Sequence, residues 1–107
     1  MIVHIEAPDE AAHAGSVDDK IEAIQSVDRE VVSRLRSWRG DALRLLIMPD
    51  HSTPIEVQTH VDDPVPFILW GPGFVANGAK KFTEAETKNT SFFIDLGYNI
   101  MSWLLKV

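Results

Sequence analysis

The sequence predicts an α/β fold in which helices flank a parallel sheet. Three short apolar runs rich in strand-forming residues, at 2–6, 43–48 and 67–70, indicate strands. The segment between the first two runs has the apolar periodicity of a helix, and a second helical pattern closes the chain. The first three elements therefore form a right-handed βαβ unit, which a third strand and a C-terminal helix follow.

The first half of the chain contains one strand and one long helix. Ile2 begins the strand, and Ala7-Pro8 ends it. Residues 8–15 are expected to form a loop or a single helical turn. Ser16 then resembles a helix cap. The long helix is predicted over about 17–38, because apolar residues recur every three or four positions, at Val17, Ile21, Ile24, Val27, Val31, Leu35 and Trp38.

The second half supplies two strands and a helix. The run at 43–48 is apolar apart from Arg44, as in a strand buried on both faces of a parallel sheet. The run at 67–70 follows a Pro-rich turn and ends at Gly71. Residues 74–94 show no clear pattern, and 96–105 predict the C-terminal helix.

Composition limits the function. A chain of 107 residues is one domain or part of one, and its net charge of −6 argues against nucleic-acid binding. Without cysteine, it has no disulfide, thiolate ligand or cysteine nucleophile. We find no signal peptide and no apolar run of the roughly 18 residues that a membrane span needs. We therefore expect a soluble cytoplasmic protein.

Two acid–histidine pairs and one further histidine are the candidate site. Asp9 and His13 are four residues apart and would share one face of a helical turn. Asp50 and His51 follow the second strand, and His60 comes nine residues after His51. Ligands of open α/β sheets bind beyond the carboxyl ends of the strands, so both clusters should meet at one sheet edge. Five oxygen and nitrogen ligands suggest a two-metal site suited to phosphoryl chemistry.

Each of these residues also has an ordinary interpretation. Asp9 could cap a turn, the Asp50–His51 pair could form a simple turn, and His60 could be a surface histidine. His4, inside the first predicted strand, is expected to be structural. Ser52 and Thr53 have no dedicated base, so we expect them to shape the loop through hydroxyl–backbone bonds.

Three linked motifs resemble a known family. The segments APDEAAHAG, KIEAIQSVDREVV and LLIMPDHSTPIEVQTHVDDPVPFILWGPG resemble the C-terminal part of archaeal-type cofactor-independent phosphoglycerate mutases, of the alkaline phosphatase superfamily. The resemblance extends from about Val3 to Leu105. It implies a partial alkaline-phosphatase-like parallel sheet. It also implies that residues 1–107 are a single domain, the C-terminal portion of a larger phosphatase-like metalloenzyme domain.

The resemblance assigns roles to the five ligands. It implies that Asp9, His13 and His60 bind one divalent ion, and that Asp50 and His51 bind another. The ions would be Mn, or else Mg, Zn or Co. The parent enzyme would interconvert 3-phosphoglycerate and 2-phosphoglycerate through a phosphoserine. Its nucleophilic Ser would lie in a missing N-terminal part, so this chain has no catalytic nucleophile and should be inactive alone.

Two other functions remain open. The chain could belong to another phosphatase, sulfatase-like hydrolase or phosphomutase of the same superfamily, because the metal ligands barely distinguish these. It could also be a non-catalytic α/β interaction module with a degenerate site. If the sheet is cut along its length, an exposed edge and apolar faces predict self-association or low stability.

Overall fold

A computed structural model of the chain describes residues 1–40 and 42–106. They form two compact units, and each is described by itself. The first unit comprises Met1–Arg39 and His51–Pro64, and the second comprises the described part of Gly40–Asp50 and Val65–Val107. In the described part of the chain, no helix is both long and apolar enough to cross a membrane. The single domain expected from the sequence stays a prediction.

The first unit opens with a helix where the sequence predicted a loop or a single turn. Helix α1 spans Ala7–His13 and has a proline at its start, where the fixed φ of proline suits a helix. The acidic residues in its first turn interact favourably with the positive end of the helix dipole. Ala11 and Ala12 are buried, and α1 packs against the next helix. Gly15, at φ +71°, ends the segment in the left-handed conformation that glycine adopts without penalty.

The predicted long helix is confirmed, although it is not uniform. Helix α2 spans Val17–Val27 and begins at Ser16, whose hydroxyl accepts a hydrogen bond from the Asp19 amide as the capping pattern predicts. A π-helical turn, Asp28–Val32, connects it to α3, Ser33–Arg36. The apolar residues Val27, Val31 and Leu35 recur every four positions, a spacing that both an α-helix and a wider turn accommodate, so the periodicity does not reveal it.

The strand predicted at 2–6 is not formed, and this prediction was wrong. Residues 1–6 lie outside any helix or strand, and Ile2 and Val3 are exposed. A strand exists only when a neighbouring strand satisfies its backbone groups, and the described residues provide no partner for this run. His4, expected to be structural inside this strand, is exposed as well.

The second unit contains the sheet. Strands β1, Leu45–Ile47, and β2, Ile68–Trp70, pair with Leu46 opposite Leu69. The pairing is antiparallel, which corrects the expected parallel sheet. The parallel arrangement depended on a βαβ unit that began at residues 2–6, and that strand is not formed. The α/β class is retained, because helices and a sheet are both present.

The rest of the second unit is largely irregular. A short helix, α4, spans Glu84–Thr87 in the segment that showed no pattern, and the Thr83 hydroxyl caps it. The predicted C-terminal helix is confirmed as a 3₁₀ turn, Gly97–Asn99, that leads into α5, Ile100–Leu105. Phe92 makes edge-to-face contacts with Phe67 and Trp103, which anchor the irregular chain to β2 and α5.

Candidate metal centre

Helix α1 brings two of the predicted ligands together. Asp9 and His13 are four residues apart, so their side chains lie one above the other on the same helix face. The Asp9 Oδ2 atom is 3.4 Å from His13 Nε2. The arrangement predicted from the spacing is therefore present, and it depends on local helix geometry alone.

A loop in the first unit brings His60 to the same place. The backbone amides of Val57 and Gln58 both donate to the Pro54 carbonyl, and this turn reverses the chain. An isolated antiparallel bridge between Ser52 and Val61 closes the loop. His60 Nε2 then lies 3.2 Å from the Nε2 atom of His13 and 3.4 Å from the Oδ1 atom of Asp9.

The three side chains have the geometry of a cation site. One donor atom each from Asp9, His13 and His60 lies within 4.8 Å of the others. A tetrahedral ion with bonds of about 2.0 Å holds its donor atoms roughly 3.3 Å apart. The Nε2 atoms of His13 and His60 are 3.2 Å apart, and each lies 3.4 Å from an oxygen of Asp9, which is Oδ2 for His13 and Oδ1 for His60. The donor atoms are therefore close enough together for a small shift of the carboxylate to bring them around such an ion. One carboxylate and two imidazoles suit Zn, Mn or Fe better than a thiol-preferring metal.

A backbone carbonyl fixes the orientation of His13. The His13 Nδ1 atom is 2.9 Å from the carbonyl oxygen of Gln58. A carbonyl only accepts, so Nδ1 carries the proton and the lone pair of the neutral ring lies on Nε2, facing the cluster. Gln58 has a φ of +56°, a conformation uncommon for residues other than glycine. No sequence pattern indicates this contact, because every residue has a backbone carbonyl.

Thr53 holds the carboxylate of Asp9. Thr53 is buried, with 6% of the residue exposed, and its Oγ1 atom donates to Asp9 Oδ1 over 2.6 Å. This hydrogen bond is the main reason that the pKa of Asp9 lies below its ordinary value of 3.8. Partial desolvation opposes the shift, whereas the nearby histidines His13, His60 and His51 add to it. The carboxylate is therefore held in the ionised form that binds cations.

His51 lies next to this cluster. Its ring centroid is 3.7 Å from that of His60, and its Nδ1 atom is 3.2 Å from Thr53 Oγ1. Asp50, its predicted partner, follows β1 in the second unit. The first unit thus gathers Asp9, His13, His60 and His51, and a second ion held by Asp50 and His51 stays a prediction. The sequence predicts only a loop-shaping role for Thr53 and does not indicate its contact with Asp9.

Comparison with known proteins identifies the superfamily of the chain. The family model described as Metalloenzyme superfamily matches residues 1–102. The chain is 48% identical over 92 residues to the 2,3-bisphosphoglycerate-independent phosphoglycerate mutase 2 of Methanothermobacter thermautotrophicus, covering 85% of this chain and 23% of that protein. It is 42% identical over 108 residues to the 2,3-bisphosphoglycerate-independent phosphoglycerate mutase of Methanothrix thermoacetophila, covering 98% of this chain and 28% of that protein.

A solved structure is similar as well. The PH0037 protein from Pyrococcus horikoshii matches with a TM-score of 0.84 at 30% identity, over 92% of this chain and 30% of that one. This similarity confirms the predicted α/β, alkaline-phosphatase-like fold class. The chain spans about a quarter of the length of the curated relatives described above. Because the superfamily model covers nearly the whole chain, the chain belongs to the Metalloenzyme superfamily.

Proposed function

We propose that this chain is the metal-binding segment of a 2,3-bisphosphoglycerate-independent phosphoglycerate mutase. The observation that carries the proposal is the convergence of Asp9, His13 and His60 donor atoms in a superfamily of metalloenzymes. The names of the two archaeal relatives supply the activity, that of a phosphoglycerate mutase, and the family resemblance implies its reaction, the interconversion of 3-phosphoglycerate and 2-phosphoglycerate. A location in the cytoplasm stays a prediction from the sequence.

In this proposal, the five predicted ligands serve two divalent ions. Asp9, His13 and His60 hold the first ion, and Asp50 and His51 contribute to the second. Mn is the expected metal, with Mg, Zn or Co as alternatives. The bound ions supply Lewis-acid polarisation of phosphoryl oxygens. Of the first ion's ligands, Asp9 provides the negative charge, and His13 and His60 provide neutral nitrogen donors that leave the ion a net positive charge for phosphate.

The proposed reaction also needs a nucleophile. A metal-activated serine would take the phosphoryl group from one position of phosphoglycerate and return it to the other. We place that serine in another segment of the same protein, because the relatives are about four times as long as this chain. The chain alone is then expected to bind metal and to have no mutase activity.

Two measurements test the proposal. Calorimetric titration of the chain with Mn or Zn should show one ion bound measurably and a second bound weakly, since the first site has three protein ligands in this chain and the second has two. Mutase activity of the longer protein, followed by coupling 2-phosphoglycerate to enolase, should fall at least about 100-fold in Asp9→Asn. His4→Ala, which alters an exposed histidine outside the cluster, is the matched control.

A second function within the superfamily shares the same ligands. The family model names a superfamily and no reaction, so a related phosphatase or phosphomutase has the same structural support. Turnover of a phosphopentose or of a simple phosphate ester, with no turnover of 3-phosphoglycerate, would favour this second function. A chain that binds neither Mn nor Zn would instead fit a non-catalytic interaction module.

A further inference from the structure

The Thr53 hydroxyl lies between the two predicted metal sites. It is 2.6 Å from Asp9 Oδ1, which belongs to the first site, and 3.2 Å from His51 Nδ1, which belongs to the second. Thr53 is buried, whereas the side chains of His13 and His60 are about half exposed. One polar atom with little access to water therefore contacts a ligand of each site.

The number of available protons determines the direction of both hydrogen bonds. A hydroxyl has one proton, and an ionised carboxylate only accepts, so Thr53 donates to Asp9. The oxygen of Thr53 can then only accept from His51. The Nδ1 atom of His51 must carry a proton, and in the neutral ring that binds metal the lone pair lies on Nε2.

The hydroxyl is not a free rotor in this position. Threonine is branched at Cβ, which restricts its first side-chain torsion. Its backbone is held as well, because the Lys20 ammonium donates to the Thr53 carbonyl over 2.8 Å and the preceding residue, Ser52, pairs with Val61. The direction of the hydroxyl is therefore determined by the fold around it.

We propose that Thr53 is a positioning residue that selects the metal-binding tautomer of His51 while it fixes the carboxylate of Asp9. The inference rests on the proposed function, in which both residues are ligands. A similar arrangement is already present at His13, where the Gln58 carbonyl fixes the proton on Nδ1. Both rings are then protonated on Nδ1 and present Nε2, so Thr53 prepares the two sites together before any ion binds.

NMR correlation spectra of the histidine ring nitrogens test the proposed tautomer of His51. They are recorded on the metal-free chain, in the presence of a chelator and at a pH where the rings are neutral. In the unaltered chain, His51 should be in the Nδ1–H form. Thr53→Ser keeps the hydroxyl and should keep that form, whereas Thr53→Val has the same shape without the hydroxyl and should move His51 toward Nε2–H. His4, exposed and outside the cluster, is an internal reference that should not change.

Metal titration is the second readout. Partners that orient metal ligands typically contribute 10- to 100-fold in affinity, so Thr53→Val should weaken Mn or Zn binding by about that factor. Thr53→Ser should stay within a few-fold of the unaltered chain. A valine variant with unchanged His51 tautomer and unchanged affinity would overturn the proposal.

The tautomer of the unaltered chain decides the question even if the valine variant fails to fold. An Nε2–H form of His51 in that chain would overturn the role of Thr53 directly. This readout needs neither substrate nor metal, so it is independent of the mutase assay. Loss of the phosphoglycerate proposal would leave the tautomer result standing, and the reverse also holds.

Discussion

Replacing His60 with alanine removes one of three donors from the candidate site. Structural zinc sites with four ligands bind with apparent free energies of about 10–16 kcal/mol, or roughly 3 kcal/mol per ligand. Since about 1.4 kcal/mol corresponds to a tenfold change, we expect the dissociation constant of Mn or Zn to rise about 100-fold. The His60 side chain is 52% exposed, so its loss should cost little packing.

The assay is isothermal titration of the metal-free chain, with circular dichroism to check that the variant is folded. His4→Ala is the matched control, because it also removes an exposed imidazole but lies outside the cluster. Its affinity for the ion should equal that of the unaltered chain. The His60 ring also stacks at 3.7 Å on His51, so the weaker second ion should be lost in His60→Ala as well.

Equal affinity in the unaltered chain and in His60→Ala would refute the assignment of His60. An equal loss of metal affinity in His60→Ala and His4→Ala would also refute the assignment, because binding would then depend on exposed histidines in general and not on the cluster. A variant that unfolds would leave Asp9→Asn as the decisive substitution, since it keeps the shape of the side chain and removes its charge. Undiminished affinity there would exclude the cluster as the binding site.

Three further outcomes follow from the structure. In chelator, the lowered pKa of Asp9 contributes stability that is present above its ordinary value of 3.8 and is lost as the pH falls through the lower folded value. Thr53→Val lacks the hydroxyl that lowers the pKa of Asp9, so it should lose less stability on acidification than the unaltered chain. The same dependence of stability on pH in both proteins would contradict this. Gly15→Ala should lower the free energy of unfolding, measured in urea, by about 1–2 kcal/mol, because Gly15 has a positive φ. The affinity for metal should be unchanged, because the added methyl group meets only the side chain of Gln58 and the Gln58 carbonyl still orients His13. The chain should also associate with increasing concentration in sedimentation, because it exposes many apolar side chains, and a monomer at all concentrations would contradict this.

The elements that could be predicted from sequence are those set by local geometry. Helix α2 shows its apolar periodicity and its Ser16 cap within a single segment, so both were identified correctly. The four-residue spacing of Asp9 and His13 specifies a shared face as soon as the segment is helical. The prediction of this pair therefore needed no knowledge of the rest of the fold.

Strands β1 and β2 lie within two of the predicted runs, whereas the strand at 2–6 and the parallel pairing were wrong for the opposite reason. An apolar, β-branched run such as 2–6 indicates only that the segment is compatible with a sheet. Whether it forms a strand depends on pairing with residues far away in the chain. The direction of pairing between β1 and β2 is equally invisible in either strand alone. The contact of Thr53 with Asp9 joins residues 44 positions apart, which explains why a hydroxyl in a turn was interpreted as a local one.

We expect metal binding at the cluster to be coupled to the stability of the first unit. Its ligands come from two segments, α1 and the loop that ends at His60, and the side chains of Asp9, His13 and His60 are 35%, 43% and 52% exposed. Little apolar burial holds these segments together, because the only buried apolar residues of the described part of the first unit are Ala11 and Ala12. An ion that binds only the folded arrangement adds about 2.7 kcal/mol at 100 times its dissociation constant, which is a large share of a small domain's stability. Mn or Zn should therefore raise the unfolding temperature of the chain, and His60→Ala should lose that increase while keeping the melting behaviour of the metal-free chain.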